Sequence, residues 1–242
     1  MLCLTARLAA AVLGLSLAAG CGLISSDVTD FDLALPDKKF SIDASGWQVD
    51  TMNARLFNGG KLASVSCSSM QTVCSSAVDQ ACPSGCTGSC NTMTDSCELS
   101  LDVSRPLKVD LVTEQPELKT ITDQSVIKVT LDSVTYQVTG NTLDVDTPVI
   151  DVYIAPISAL TSADPGAELI GSIPAIRAMT TTSSEQTLEF TATGKSKLIN
   201  IMSMFRTPFN VLVASSLKLT AGQMMPTGRL DAVVRIRGHA GL

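Results

Sequence analysis

Six cysteines in a short stretch are the residues best placed to do chemistry in this 242-residue chain. Cys67, Cys74, Cys82, Cys86, Cys90 and Cys97 follow the spacing C-x6-C-x7-C-x3-C-x3-C-x6-C. Thiols in such a run suit either disulfides or a zinc ion held by four thiolates. Their even number and the absence of histidine from the run point to three disulfides, with fifteen pairings left open. His239 is the single histidine. Any Ser-His-Asp or Cys-His centre must use it, but its place on a terminal strand suits a solvated surface residue. Asp144 and Asp146, with Asp151 nearby, are weak calcium candidates, because calcium needs several oxygens converging in space. No EF-hand or RTX loop accompanies them, and solvated carboxylates are the alternative. Asp27, Asp30 and Asp32 form a second acidic group. A carboxylate pair for glycoside hydrolysis is conceivable. One Trp, two Tyr and six Phe leave little from which to build a sugar platform.

The first twenty residues have three parts. Arg7 is a basic start, 8–17 is an apolar core too short to span a bilayer, and small residues follow. The stretch Leu17-Ala18-Ala19-Gly20-Cys21 resembles the lipobox of bacterial lipoproteins. It departs from that family in carrying Ala18 three positions before the cysteine, with Leu17 one place earlier. The resemblance implies export, cleavage before Cys21 and a diacylglycerol and palmitate anchor on that residue. The alternative is an ordinary secretory signal that leaves a soluble protein. The cysteine count supports lipidation: of eight, Cys3 leaves with the leader and Cys21 takes the lipid, so six remain to pair. An exported setting also favours disulfides over zinc. Gly22 stands where Asp favours inner-membrane retention in Gram-negative lipoproteins, so the resemblance implies the outer membrane.

Residues 21–30 read as a polar tether reaching roughly 15–20 Å, and 31–242 as one β domain. The formal charge is −6 with no basic block, which disfavours nucleic acid as a partner. Period-2 alternation predicts strands over 31–35, 40–42, 47–49, 99–103, 107–111, 126–138, 143–145, 149–154, 169–173, 188–190, 209–219 and 229–236. The apolar phase slips between Leu131 and Val134, which predicts a β-bulge at Asp132-Ser133. Trp47 is expected in the core. A helix is predicted over 196–206, stopped by Pro208. Residues 61–98 are poor in large apolar side chains and read as an inserted, looped knot held by cross-links. The fold class is therefore an antiparallel β-sandwich, immunoglobulin-like in general character, with a disulfide-rich insertion and one short helix.

The leading functional expectation is a non-enzymatic envelope lipoprotein acting as a structural or protein-binding module, without a cofactor. The membrane is engaged through Cys21, and the partner is an envelope protein. A carrier of a small apolar ligand or lipid, with the 196–206 helix as lid, is the second reading. A hydrolase using a carboxylate or metal site is the third.

Overall fold

A computed structural model describes residues 30–67, 71–82, 84–121 and 127–241. The expected leader, Cys21, Asp27 and the expected tether up to residue 29 lie outside the described residues. In chain order the strands are β1 (Phe31–Ala34), β2 (Lys38–Asp43), β3 (Phe57–Asn58), β4 (Lys61–Leu62), β5 (Cys86–Asn91), β6 (Ser96–Val109) and β7 (Lys128–Asn141). They continue with β8 (Ile150–Pro156), β9 (Glu168–Ile173), β10 (Gln186–Thr187), β11 (Glu189–Phe190), β12 (Phe209–Leu219) and β13 (Arg229–Gly241). The helices are α1 (Gln71–Ala81), α2 (Leu111–Glu114) and α3 (Gly194–Ser203).

Two antiparallel sheets form a sandwich. In the first, β13 pairs with both β1 and β2 on one side and with β7 on the other, and β10 extends β7. The second has the order β11-β9-β8-β12-β6-β5. Alternate residues of both sheets meet between them, among them Leu33, Phe40, Leu99, Leu101, Val134, Ile150, Val213 and Leu230. Burying these apolar faces is the main force that holds the layers together.

The predicted bulge is present. Arg237 pairs with Ser133 and Gly238 with Leu131, so Asp132 has no partner. The extra residue moves the buried positions from Val129 and Leu131 to Val134, Tyr136 and Val138, so one strand faces the same core throughout.

Both lateral openings are closed. On one side the β2 and β6 edges are joined by side chains: Lys38 Nζ donates to the Lys108 carbonyl at 2.9 Å, and Arg105 Nε to that of Ser41 at 3.3 Å. Gln115 Nε2 adds a bond to the Ala34 carbonyl at 2.6 Å. The backbone groups of even-numbered β6 residues point to this edge, because the Asp102 amide donates to the Gly85 carbonyl and the Asp102 carbonyl accepts from Trp47. Pro106 falls in the same set and offers no donor, a common protection of edge strands. On the opposite side one segment serves both sheets: β10 pairs with β7, and β11, one residue later, with β9.

Several expectations need correction. Residues 47–49 are not a strand. Asp43 caps a 3-10 turn over Ala44–Trp47 by accepting from the Ser45 amide, and Gln48 then adopts a positive φ of 38°. Trp47 is nonetheless core, and its indole N–H donates to the Asp102 carbonyl at 3.2 Å. Residues 143–145 form no strand, although Leu143 is buried. The two strands expected over 99–111 are one strand, β6, which ends where Asp110 caps α2 through the Thr113 amide.

The cysteine-rich stretch is the largest correction. It is a helix lying on a hairpin, not a knot of loops. Cys74, Ala77, Val78 and Ala81 form the buried face of α1 at helical spacing. Strands β5 and β6 form the hairpin beneath it, and β5 is an edge strand of the second sheet. Gly88 makes the contact possible, because a Cβ there would stand 2.6 Å from the Cys74 carbonyl oxygen and 2.8 Å from Val78. Disulfides join Cys67 to Cys90, Cys74 to Cys97 and Cys82 to Cys86.

Helix α3 starts and ends earlier than predicted. Leu198 and Met202 are buried, and Gly194 packs against the Ile170 backbone where no Cβ fits. Thus α3 is part of the core. No described helix is long and apolar enough to cross a membrane.

Candidate functional site

The outer faces of the two sheets differ sharply in character. That of the first sheet is closed by ion pairs. Arg229 meets Asp231 at 2.6 Å, and Arg235 meets Asp37 at 2.9 Å and Glu185 at 3.1 Å. The Asp231 carboxyl is held below its ordinary range, first by the Ser41 hydroxyl and then by the Arg229 guanidinium.

The outer face of the second sheet instead carries a groove of about 820 Å³. Its floor is set by strand register. Ser104 of β6, Ala214 of β12 and Asp151 of β8 lie in one cross-strand row, with Ser216 opposite Asp102 beside it. Small side chains here leave the sheet backbone close to the surface. Val149, Arg105 and Tyr153 stand around this floor. Burial first, and then the Asp151 carboxylate, push the Tyr153 phenol above its ordinary range.

One wall is the 157–167 loop, which is firmly fixed. Buried Asn210 donates to the Ile157 carbonyl at 3.1 Å and to the Ala159 carbonyl at 2.8 Å. Ser104 Oγ donates to the Leu160 carbonyl at 3.2 Å. The Asp164 carboxylate accepts from the Leu160 and Thr161 amides, each at 2.8 Å, and these bonds lower its pKa. Ala155, Ala159 and Leu212 pack beneath the loop. This wall is therefore held by the fold itself, so little of its ordering entropy is left to be lost on binding.

Other candidate residues are placed elsewhere. Asp144 and Asp146 do not converge on a calcium site. The Asp144 carboxylate accepts from the Thr227 amide and hydroxyl, each at 2.8 Å, while Asp146 accepts from the Ala178 amide at 2.8 Å. Each carboxylate ties down a different loop. Asp151 lies apart from them, in the groove. His239 sits on the outer face of the first sheet, with Nδ1 2.8 Å from Asp132 and Nε2 3.3 Å from Asp32. Among the described residues, the one group of three metal-ligating side chains that comes together is Cys67, Cys74 and Cys90, and all three are in disulfides.

The apolar cavity between the sheets, lined by Ile42, Trp47, Leu101 and Leu217 among others, measures about 20 Å³. That is the scale of one water molecule rather than an acyl chain, and no residue of α3 lines it. The predicted lid therefore does not cover this cavity.

The groove was not predicted from sequence. Its available signals were the alternating small residues Ser104, Ala214 and Ser216 and the Asp164-Pro165-Gly166 turn. Neither signal shows that three strands distant in sequence lie side by side. No protein-family model matches the chain, and no curated protein is significantly similar to it.

Proposed function

We propose that this chain is a lipid-anchored envelope lipoprotein, tethered through Cys21, that holds a protein partner in the groove on the outer face of its second sheet. The groove carries the proposal: its 157–167 wall is held by hydrogen bonds, its floor is lined by small side chains, and Asp102, Arg105, Asp151 and Tyr153 place charge and hydrogen-bonding groups around it. Such a surface suits an extended polar segment of another protein. Anchoring is supported by the lipobox-like leader and by the cysteine pairing. The six cysteines from Cys67 to Cys97 pair with one another, so none of them calls for Cys21 as a partner. Gly22 rather than Asp after that residue favours the outer membrane.

A photo-crosslinking residue at exposed Ser216, compared with one at exposed Thr130 on the first sheet, tests the groove in intact cells. A discrete protein adduct from position 216 alone is expected. Equal labelling from both positions, or none, overturns the reading. For the anchor, Cys21→Ser is expected to abolish incorporation of labelled fatty acid and membrane fractionation. Retention of either rejects lipidation at Cys21.

A further inference from the structure

The Sγ atoms of Cys67, Cys74 and Cys90 all lie within 4.8 Å of one another, although two different disulfides contain them. The fourth cysteine of the two bridges, Cys97, stands directly opposite Cys90 in the β5–β6 hairpin. The Cys97 amide donates to the Val65 carbonyl, away from β5. Cys90 and Cys97 are therefore a non-hydrogen-bonded antiparallel pair. Cα atoms in such pairs approach to about 4.5 Å, within the range a disulfide can span. Cys67 thus has the Cys74 sulfur at hand as a second partner, and Cys90 has Cys97 opposite it across the hairpin. Burial makes the cluster asymmetric. Cys67, Cys74 and Cys97 are buried, whereas Cys90 is only partly buried.

We infer that these four cysteines form a thiol–disulfide exchange site that an external thiolate enters at Cys90, converting the Cys67–Cys90 and Cys74–Cys97 bridges into Cys67–Cys74 and Cys90–Cys97. The external thiolate attacks Cys90 Sγ. A mixed disulfide forms, the bond to Cys67 breaks, and the electron pair leaves on Cys67 Sγ. The Cys67 thiolate attacks Cys74 Sγ, and the bond to Cys97 breaks with its electron pair on Cys97 Sγ. The Cys97 thiolate then attacks Cys90 Sγ and expels the external thiolate. Two disulfides are present before and after, nothing is oxidised or reduced overall, and the thiol acts as a catalyst. Each step is the in-line displacement through a mixed disulfide by which such bonds isomerise.

The exchange changes what is tied to what. In the structure described here, both bridges fasten α1 and the segment before it to the β5–β6 hairpin. In the alternative pairing, each bridge closes within its own segment. Helix α1 then stays attached through Cys82–Cys86 and by packing at Gly88, with Cys82–Cys86 as the hinge. The longer loops of the present pairing favour it through the entropy of the unfolded chain, so the open pairing is the minor form until something binds the parted surfaces.

The test uses the folded chain lacking its leader and Cys21, incubated anaerobically with substoichiometric reduced glutathione, acid-quenched, alkylated and mapped by non-reducing peptide mass spectrometry. Time-dependent appearance of Cys67–Cys74 and Cys90–Cys97 peptides, without accumulation of free thiols and with Cys82–Cys86 intact, is expected. Absence of both new peptides at every time point overturns the inference. So does a stable glutathione adduct on Cys90 with Cys74–Cys97 unbroken, and so does scrambling that includes Cys82 or Cys86. A Cys82→Ser/Cys86→Ser double variant should give the same exchange. Its failure to fold would leave the decision to the native chain, in which the result is read directly.

Discussion

At the scale of single residues, charges near the sheet edges are more consequential than the sequence suggests. Glu98 is buried on β6, where the Asn91 amide donates to it at 2.6 Å and Lys218 lies at 3.2 Å. The Asn91 bond first, and then Lys218, hold its carboxyl below the ordinary 4.5 against the opposing effect of burial. A carboxyl depressed in the folded state contributes stability that is fully present above its unfolded pKa and is lost as pH falls through its folded pKa. Melting temperature should therefore fall below about pH 4.5 more steeply for the native protein than for Glu98→Gln; parallel profiles would refute this role. Lys38 and Glu114 meet at 2.5 Å with side chains only 12% and 14% exposed. Lys38→Ala leaves that carboxylate buried without its cation. It should cost about 2 kcal/mol or more in urea denaturation, somewhat below the 3–5 kcal/mol for a fully buried pair. Residue types alone announced neither pairing, since Lys38 and Glu114 are far apart in the chain. The core role of Trp47 was legible, because a lone Trp in an apolar pattern has much surface to bury.

At the scale of elements, the long strands were readable and the cysteine-rich segment was not. Alternation identified β7, β12 and β13 because each has one face against the core. The phase slip even located the Asp132 bulge, since an extra residue is the simplest way to change phase while keeping the same core. Helix α1 was missed because its buried face is made of Cys74, Ala77, Val78 and Ala81, small residues with a weak apolar signal. Its spacing was helical, but its strength comes from two cross-links and from contact with Gly88. The two bridges span 23 residues each and should contribute about 3 kcal/mol apiece in the chain-entropy account. Gly88→Val should push α1 off the hairpin. Hydrogen-exchange protection is expected to drop across α1 and β5 while β7 and β13 keep theirs. Unchanged protection in α1 would show that the close approach is not required.

At the scale of the whole molecule, strand register sets which parts stand near Asp30, the first described residue. Phe31 pairs with Ala240, and Lys128 with Gly241, so the start of β1 shares one end with the end of β13. The cysteine-rich module joins the opposite end, where Leu62 bonds to Gln223 in the turn before β13. Thirteen residues of β13 separate the two ends, a span of roughly 40 Å. If Cys21 carries lipid, the module is the tip farthest from the bilayer. A fluorophore at exposed Met93 on the lipidated protein in vesicles should escape a headgroup-level quencher that reaches one at Thr130. The reverse order would contradict this orientation.

The sequence by itself determined the class of the molecule. Period-2 alternation specified an antiparallel β-sandwich, and the even number of cysteines between Cys67 and Cys97 specified a cross-linked insertion, because both are local patterns imposed by backbone geometry and thiol chemistry. The tertiary structure alone decided which cysteines pair, that Asp144 and Asp146 serve different loops, and that Ser104, Ala214 and Asp151 lie side by side. Those are juxtapositions across long stretches of chain. They follow from the order of strands in the sheets, which the hydrophobic period does not encode.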